Sequence, residues 1–158
     1  MARNTIKIKR HGEPVQEEMI ANAAITPGHL CEEMSTGKVR VHATSGGDVL
    51  PMFAVEDELQ GEGITDAYAA ADPVQLWIPR RGDQVYALLA NGQNAVIGSK
   101  LSSNGDGTLK VYTADTVSSD EPAYTDYQNS IVGEAVDAVD MSDSSGVDPS
   151  GRIIVRIL

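Results

Sequence analysis

Apolar positions in this chain recur mostly at every second residue, in short runs bounded by glycine and proline clusters. Val39, Val41 and Ala43 alternate with Lys38, Arg40 and His42, which predicts a half-buried strand. Val74, Leu76 and Ile78 alternate with Gln75 and Trp77, and Pro79 ends the run. Val85, Ala87 and Leu89 alternate with Tyr86 and Leu88, a pattern of burial on both faces. Leu109 and Val111 alternate with Thr108, Lys110 and Tyr112; Ile153, Val155 and Ile157 alternate with Arg152, Ile154 and Arg156 as a final strand. Turn residues separate the runs, at Thr26-Pro27-Gly28, Ser45-Gly46-Gly47-Asp48, Arg81-Gly82-Asp83, Asn91-Gly92 and Asn104-Gly105-Asp106-Gly107. Short strands at this spacing predict a mainly β fold, a sandwich or small barrel.

Two stretches fit more than one element. Gln16–Ala24 holds good helix formers and fits one or two helical turns. Ile131–Val139 fits a helix through Ile131, Ala135 and Val139; as a strand it places Gly133 and Asp137 on one face. Its β surroundings favour the strand. Residues 117–129 and 141–151 are rich in Ser, Asp and Pro and read as polar loops. The first carries Tyr124 and Tyr127. Exposed Tyr marks a contact surface, because it is large, amphipathic and loses little entropy when ordered. The competing reading folds both rings back on the body.

Charge adds an asymmetry. The chain of 158 residues has a net charge of −11. Residues 1–10 hold Arg3, Lys7, Lys9 and Arg10 without an acid, a net +4. The other eight basic residues face all 23 acids, so residues 11–158 carry −15. A basic tip on an acidic body reads as an interaction arm, against the alternative of a frayed terminus. Alternation of Ile6, Lys7, Ile8 and Lys9 fits such a tip to add as a strand to a partner's sheet. The acidic body argues against a nucleic acid partner. An aromatic content of 4% argues against base-stacking and sugar-stacking platforms. No apolar run approaches the roughly 20 residues of a membrane span, and the basic N-terminus lacks the apolar stretch of a signal peptide. Neither a membrane nor a secretory route is expected.

Candidate chemistry is thin. His29 and Cys31 are spaced as half a zinc site, but Cys31 is the only cysteine. A buried thiol beside a surface His is the preferred reading, so no metal is expected. Asn104-Gly105-Asp106-Gly107 opens like a calcium loop, yet continues as a strand, which favours a tight turn. Glu56-Asp57 and Asp120-Glu121 read as solvated acid pairs. Gly98-Ser99-Lys100-Leu101 does not match the flanks of a carrier-domain lysine. No nucleophile-elbow, zinc-protease or phosphate-loop motif occurs, so neither catalysis nor a cofactor is expected.

The order of turns and strands from residue 25 onward resembles the head decoration, or cement, proteins of tailed bacteriophages. Its pieces are Pro27-Gly28 before a first strand, Ala54-Val55-Glu56 before a Gly-rich loop, and Gly82-Asp83 with Leu88-Leu89-Ala90. Gly98 before Leu101, the Gly105–Gly107 turn, and Gly133-Glu134-Ala135 ahead of the closing Arg-Ile strand complete it. The resemblance implies a small β-barrel or β-tulip-like domain over residues 23–158, with residues 1–22 as an extended arm. It implies a structural virion protein on the outer face of the capsid, made in the host cytoplasm. Such a protein binds the major capsid protein and bridges its subunits, as a homotrimer at threefold positions or alternatively a dimer. Arg3, Ile6, Lys7, Ile8, Lys9 and Arg10 would then be the capsid-binding arm, with Tyr124 and Tyr127 as a further surface contact. The alternative is a ligand- or glycan-binding adhesive module.

Overall fold

A computed structural model describes residues 3–114, 129–144 and 151–158 of the chain. The strands are β1 (Lys7–Lys9), β2 (Val15–Ile20), β3 (Cys31–Glu33), β4 (Val39–Val41), β5 (Phe53–Ala54), β6 (Pro73–Ile78) and β7 (Gln84–Leu88). They continue as β8 (Asn94–Ala95), β9 (Lys100–Ser103), β10 (Leu109–Val111), β11 (Ile131–Ala135), β12 (Val139–Asp140) and β13 (Arg152–Ile157). Among the described residues there is no helix.

The largest sheet has six strands in the order β1-β7-β13-β11-β9-β10. Beside it stand β2-β6-β5, the β3-β4 pair and the β12-β8 pair. The predicted mainly β class holds, and none of the described sheets closes into a barrel. A single parallel bridge from Leu89 to Leu109 brings the chain beyond β7 against β10.

Alternation explains which side each strand buries. In β13, Ile153, Val155 and Ile157 are buried in the larger core with Val85 and Ala87 of β7. Strand β6 is paired on both edges, by β2 and β5, and buried on both faces because it divides two cores. Val74 and Leu76 enter the smaller core with Ile25, Val39 and Tyr68. Trp77 points the other way, into the larger core with Phe53 and Leu30.

The two ambiguous stretches are both strands. Gln16–Ala24 does not form helical turns: its first half belongs to β2, which pairs with β6 from Val15↔Ile78 to Ile20↔Pro73. A full ladder of cross-strand pairs outweighs a helix preference worth tenths of a kcal/mol per residue. In the second stretch, Gly133 sits where an added Cβ would meet the Arg156 carbonyl oxygen at 2.4 Å. Asp137 accepts a hydrogen bond from the Ile154 N–H at 2.9 Å, replacing a ladder bond just past the end of β11. Both residues that fit a strand poorly are thus required by β13.

Residues 3–22, expected as an arm apart from the body, are built into it. β1 pairs with β7 and β2 with β6, so this stretch runs antiparallel beside residues 73–88. Ile6 is fully buried in the larger core. The period-2 pattern that fits β1 to a partner's sheet is satisfied within the chain.

Candidate functional surface

The basic residues of the N-terminal strand meet others that lie far away in sequence. One carboxylate organises this end of the molecule. Asp83, only 2% exposed, accepts the His11 N–H at 2.7 Å and contacts His11 Nδ1 at 3.0 Å. Its second oxygen accepts the Arg80 N–H at 2.8 Å. Its backbone carbonyl accepts the Ile157 N–H at 2.9 Å, and the Ile157 carbonyl accepts the Gly82 N–H at 2.9 Å. The corner after β1, the β6–β7 turn and the end of β13 are therefore fixed together. A buried carboxylate is stable there because it is given donors from two of these segments. Gly12 makes the corner possible by taking φ +83°, a left-handed conformation that side chains rarely adopt.

Strand register extends the charge inward as one row. Lys9 lies opposite Gln84, Gln84 opposite Arg156, Arg156 opposite Glu134, and Glu134 opposite Lys100. Lys100 Nζ donates to Glu134 at 2.6 Å, and Arg156 stands 3.7 Å from the same carboxylate. Lys100, and secondarily Arg156, hold the Glu134 carboxyl below the usual carboxylate range. Arg10, Arg80, Arg81 and Arg156 are exposed around this end. Seven of the chain's twelve Lys and Arg residues, counting Lys7, Lys9 and Lys100, fall on this edge, turn and row. Such a field attracts an acidic surface.

The sequence-expected contact residues divide. Arg3, Lys9 and Arg10 are exposed, while Lys7 and Ile8 are half-buried. Ile6 is not available as a contact: its side chain lies in the core and its N–H donates to the Glu56 carboxylate at 3.1 Å. Tyr124 and Tyr127 lie outside the described residues. Arg80, Arg81 and Arg156 were missed. The Arg80-Arg81 doublet ahead of Gly82-Asp83 was the one visible signal.

The other candidate sites resolve into structural contacts. Burial pushes the Cys31 thiol up to about 12, and its Sγ lies 3.5 Å from the His29 carbonyl. His29 Nδ1 accepts the Thr26 N–H at 3.1 Å, closing the turn at Pro27-Gly28. Burial would raise the Asp106 carboxyl, but hydrogen bonds from Thr108 and Asn104 outweigh it and hold it low. That carboxylate closes the turn into β10. Among the described residues, no group of three or more His, Cys, Asp or Glu side chains is placed to hold a metal ion.

An open groove of about 280 Å³ lies between β2 and the β3–β4 pair, with Glu17, Glu32, Glu33 and Asp48 on it. His42 at its base is 2% exposed. One ring nitrogen contacts Ser103 Oγ at 2.8 Å and the other the Asp48 carbonyl at 3.0 Å. Both nitrogens are committed to holding loop 44–48 against β9. The groove is therefore acidic, opposite in charge to the row on the larger sheet.

The sequence matches no protein-family model and none of the curated proteins. The fold does match a solved structure, the N base of the head fiber gp8.5 of bacteriophage phi29. The match covers 92% of this chain and 95% of that chain, with a TM-score of 0.54 and 12% sequence identity. At that identity the likeness is one of fold, and it extends over nearly the whole of both chains.

Proposed function

We propose that this chain is a structural protein of a bacteriophage head, held on the outer face of the shell through its basic end and bridging major capsid subunits. The observation that carries the reading is the full-length likeness of fold to a head fiber base. The segregation of charge supports it: a cluster of Arg and Lys on a chain of net −11 suits contact with an acidic surface. The order of turns shared with head decoration proteins points the same way.

The experiment is co-sedimentation with purified heads that lack the protein. Binding should saturate at a fixed number of copies per head. Arg80→Glu with Arg81→Glu should weaken it at least about tenfold at low salt, with a smaller gap at high salt as screening grows. Coated heads should outlast bare ones on heating. A ligand of the assembled state alone adds about 2.7 kcal/mol per site at a hundredfold excess over Kd. Failure to sediment with heads at any salt would refute the attachment. Equal heat survival would leave attachment without cementing.

A further inference from the structure

The smaller core is left unsealed at one end. Glu17 stands opposite Leu76 and Val15 opposite Ile78, so Val15, Glu17 and Met19 share the face that buries Val74 and Leu76. Cys31 and Met52 close over that face from the other side, joined by the Cys31 N–H on the Met52 carbonyl at 2.8 Å. Between the two layers lies the groove of about 280 Å³, with Cys31, Leu50, Met52 and Ile78 as its apolar lining. Leu50 is 66% exposed there, without a cover among the described residues.

The rim is acidic, and no Lys or Arg lines the groove. Glu32 already holds a guanidinium, Arg40 Nε at 2.7 Å, and one Asp48 oxygen accepts the Asn129 N–H at 2.8 Å. Glu17 and Glu33 are exposed, and no ion pair among the described residues holds either. An apolar floor under unpaired carboxylates suits a ligand that is apolar at its centre and cationic at its ends. The volume is just under the roughly 300 Å³ at which small-molecule pockets begin, so it takes a side chain rather than a cofactor. Beside the groove, β2 has β6 as its one strand neighbour among the described residues. Its second side is closed only past Ile20, where the Asn22 N–H donates to the Val39 carbonyl at 2.8 Å. The bare edge from Val15 to Met19 gives an extended chain a place to lie.

We propose that this groove docks an extended basic segment of another protein. An apolar side chain of that segment enters between Leu50, Met52 and Ile78, and a Lys or Arg two residues to either side meets Glu17 and Glu33. The spacing of two follows from extended geometry, in which side chains at i, i+2 and i+4 line one face. The contact is separate from the basic end of the molecule and does not depend on the head-surface role.

Fluorescence anisotropy with a fluorescein-labelled peptide tests it. The probe, Ser-Lys-Ser-Leu-Ser-Lys-Ser, places Lys, Leu and Lys on one face of an extended chain. It should bind the full chain one to one, with a Kd that rises with salt. The reordered peptide Ser-Ser-Lys-Leu-Lys-Ser-Ser has the same charge but turns both Lys away from the Leu face, and should bind at least about tenfold more weakly. Gly in place of Leu should cost a similar factor. Glu17→Gln with Glu33→Gln should weaken the probe at least about tenfold, whereas Glu58→Gln with Glu62→Gln, an equal loss of charge away from the groove, should not. The Met52 methyl resonance, assigned with Met52→Leu, should shift as the probe saturates. Circular dichroism checks that the Gln variants fold; if one does not, the two peptide orders on the wild-type chain decide. Absence of saturable binding, equal binding of both peptide orders, equal effects of the two Gln pairs, or an unmoved Met52 methyl would each overturn the proposal. So would a Met52 shift with protein concentration alone, which would make a second copy the occupant.

Discussion

Replacing Ile6 by Ala should destabilise the whole protein, although the residue sits near the N-terminus in the most basic part of the chain. Ile6 is fully buried among the larger core's residues and lies against Gly28, with its N–H on the Glu56 carboxylate. The substitution removes three carbons, worth about 0.8 kcal/mol each in transfer alone. The unfilled space adds to that, and buried Ile→Ala changes fall at about 2–5 kcal/mol in total. Because a chain end can relax toward the hole, about 3 kcal/mol is expected. At roughly 2–4 °C per kcal/mol for a chain of this size, the melting temperature should fall by about 6–12 °C. Thermal unfolding by circular dichroism, with Arg3→Ala as an exposed control, measures both. A separate arm would predict a change within about 0.5 kcal/mol, the usual size for a surface site. An Ile6→Ala melting temperature equal to that of Arg3→Ala would therefore refute the built-in N-terminal strand.

Two further outcomes follow from contacts in the body. Gly133→Ala should cost about 2–3 kcal/mol by overpacking, since the new Cβ would meet the Arg156 carbonyl at 2.4 Å and Val155 Cγ1 at 2.5 Å. Gly63→Ala, which meets only Asp66 Oδ2 at 3.6 Å, should stay within about 0.5 kcal/mol in the same denaturant titration. Cys31, raised by burial from 9.0 to about 12, should resist alkylation at pH 8 in the folded protein and react readily in denaturant. The sign for stability follows: the unfolded thiol ionises first as pH rises, so Cys31's contribution is whole below pH 9.0 and is lost toward about 12. Cys31→Ala should flatten that part of the stability–pH curve; an unchanged curve, or fast labelling of the native protein, would place the thiol at the surface.

The β class and most of the strands were legible along the chain, because a period of two and glycine-rich turns act within a few residues. The runs at Val39, Val74, Val85, Leu109 and Ile153 all became strands. The charge of the N-terminal segment was legible too, a property of composition alone. Whether that segment stood free depended on contacts distant in the chain. Ile6 is buried by Gly28 and the larger core, and β1 is a strand because β7 lies beside it, more than 70 residues later in the chain. The alternation of Ile6, Lys7, Ile8 and Lys9 marks a strand, but nothing near residue 6 says which strand it pairs with. The basic surface was legible only in its first half for the same reason. Arg80, Arg81 and Arg156 join Lys9 and Arg10 through the buried Asp83 carboxylate and the register of β1, β7 and β13. A charge in the sequence has a position along the chain; its neighbours in space are set by which strands pair, and non-local pairing is what folding adds.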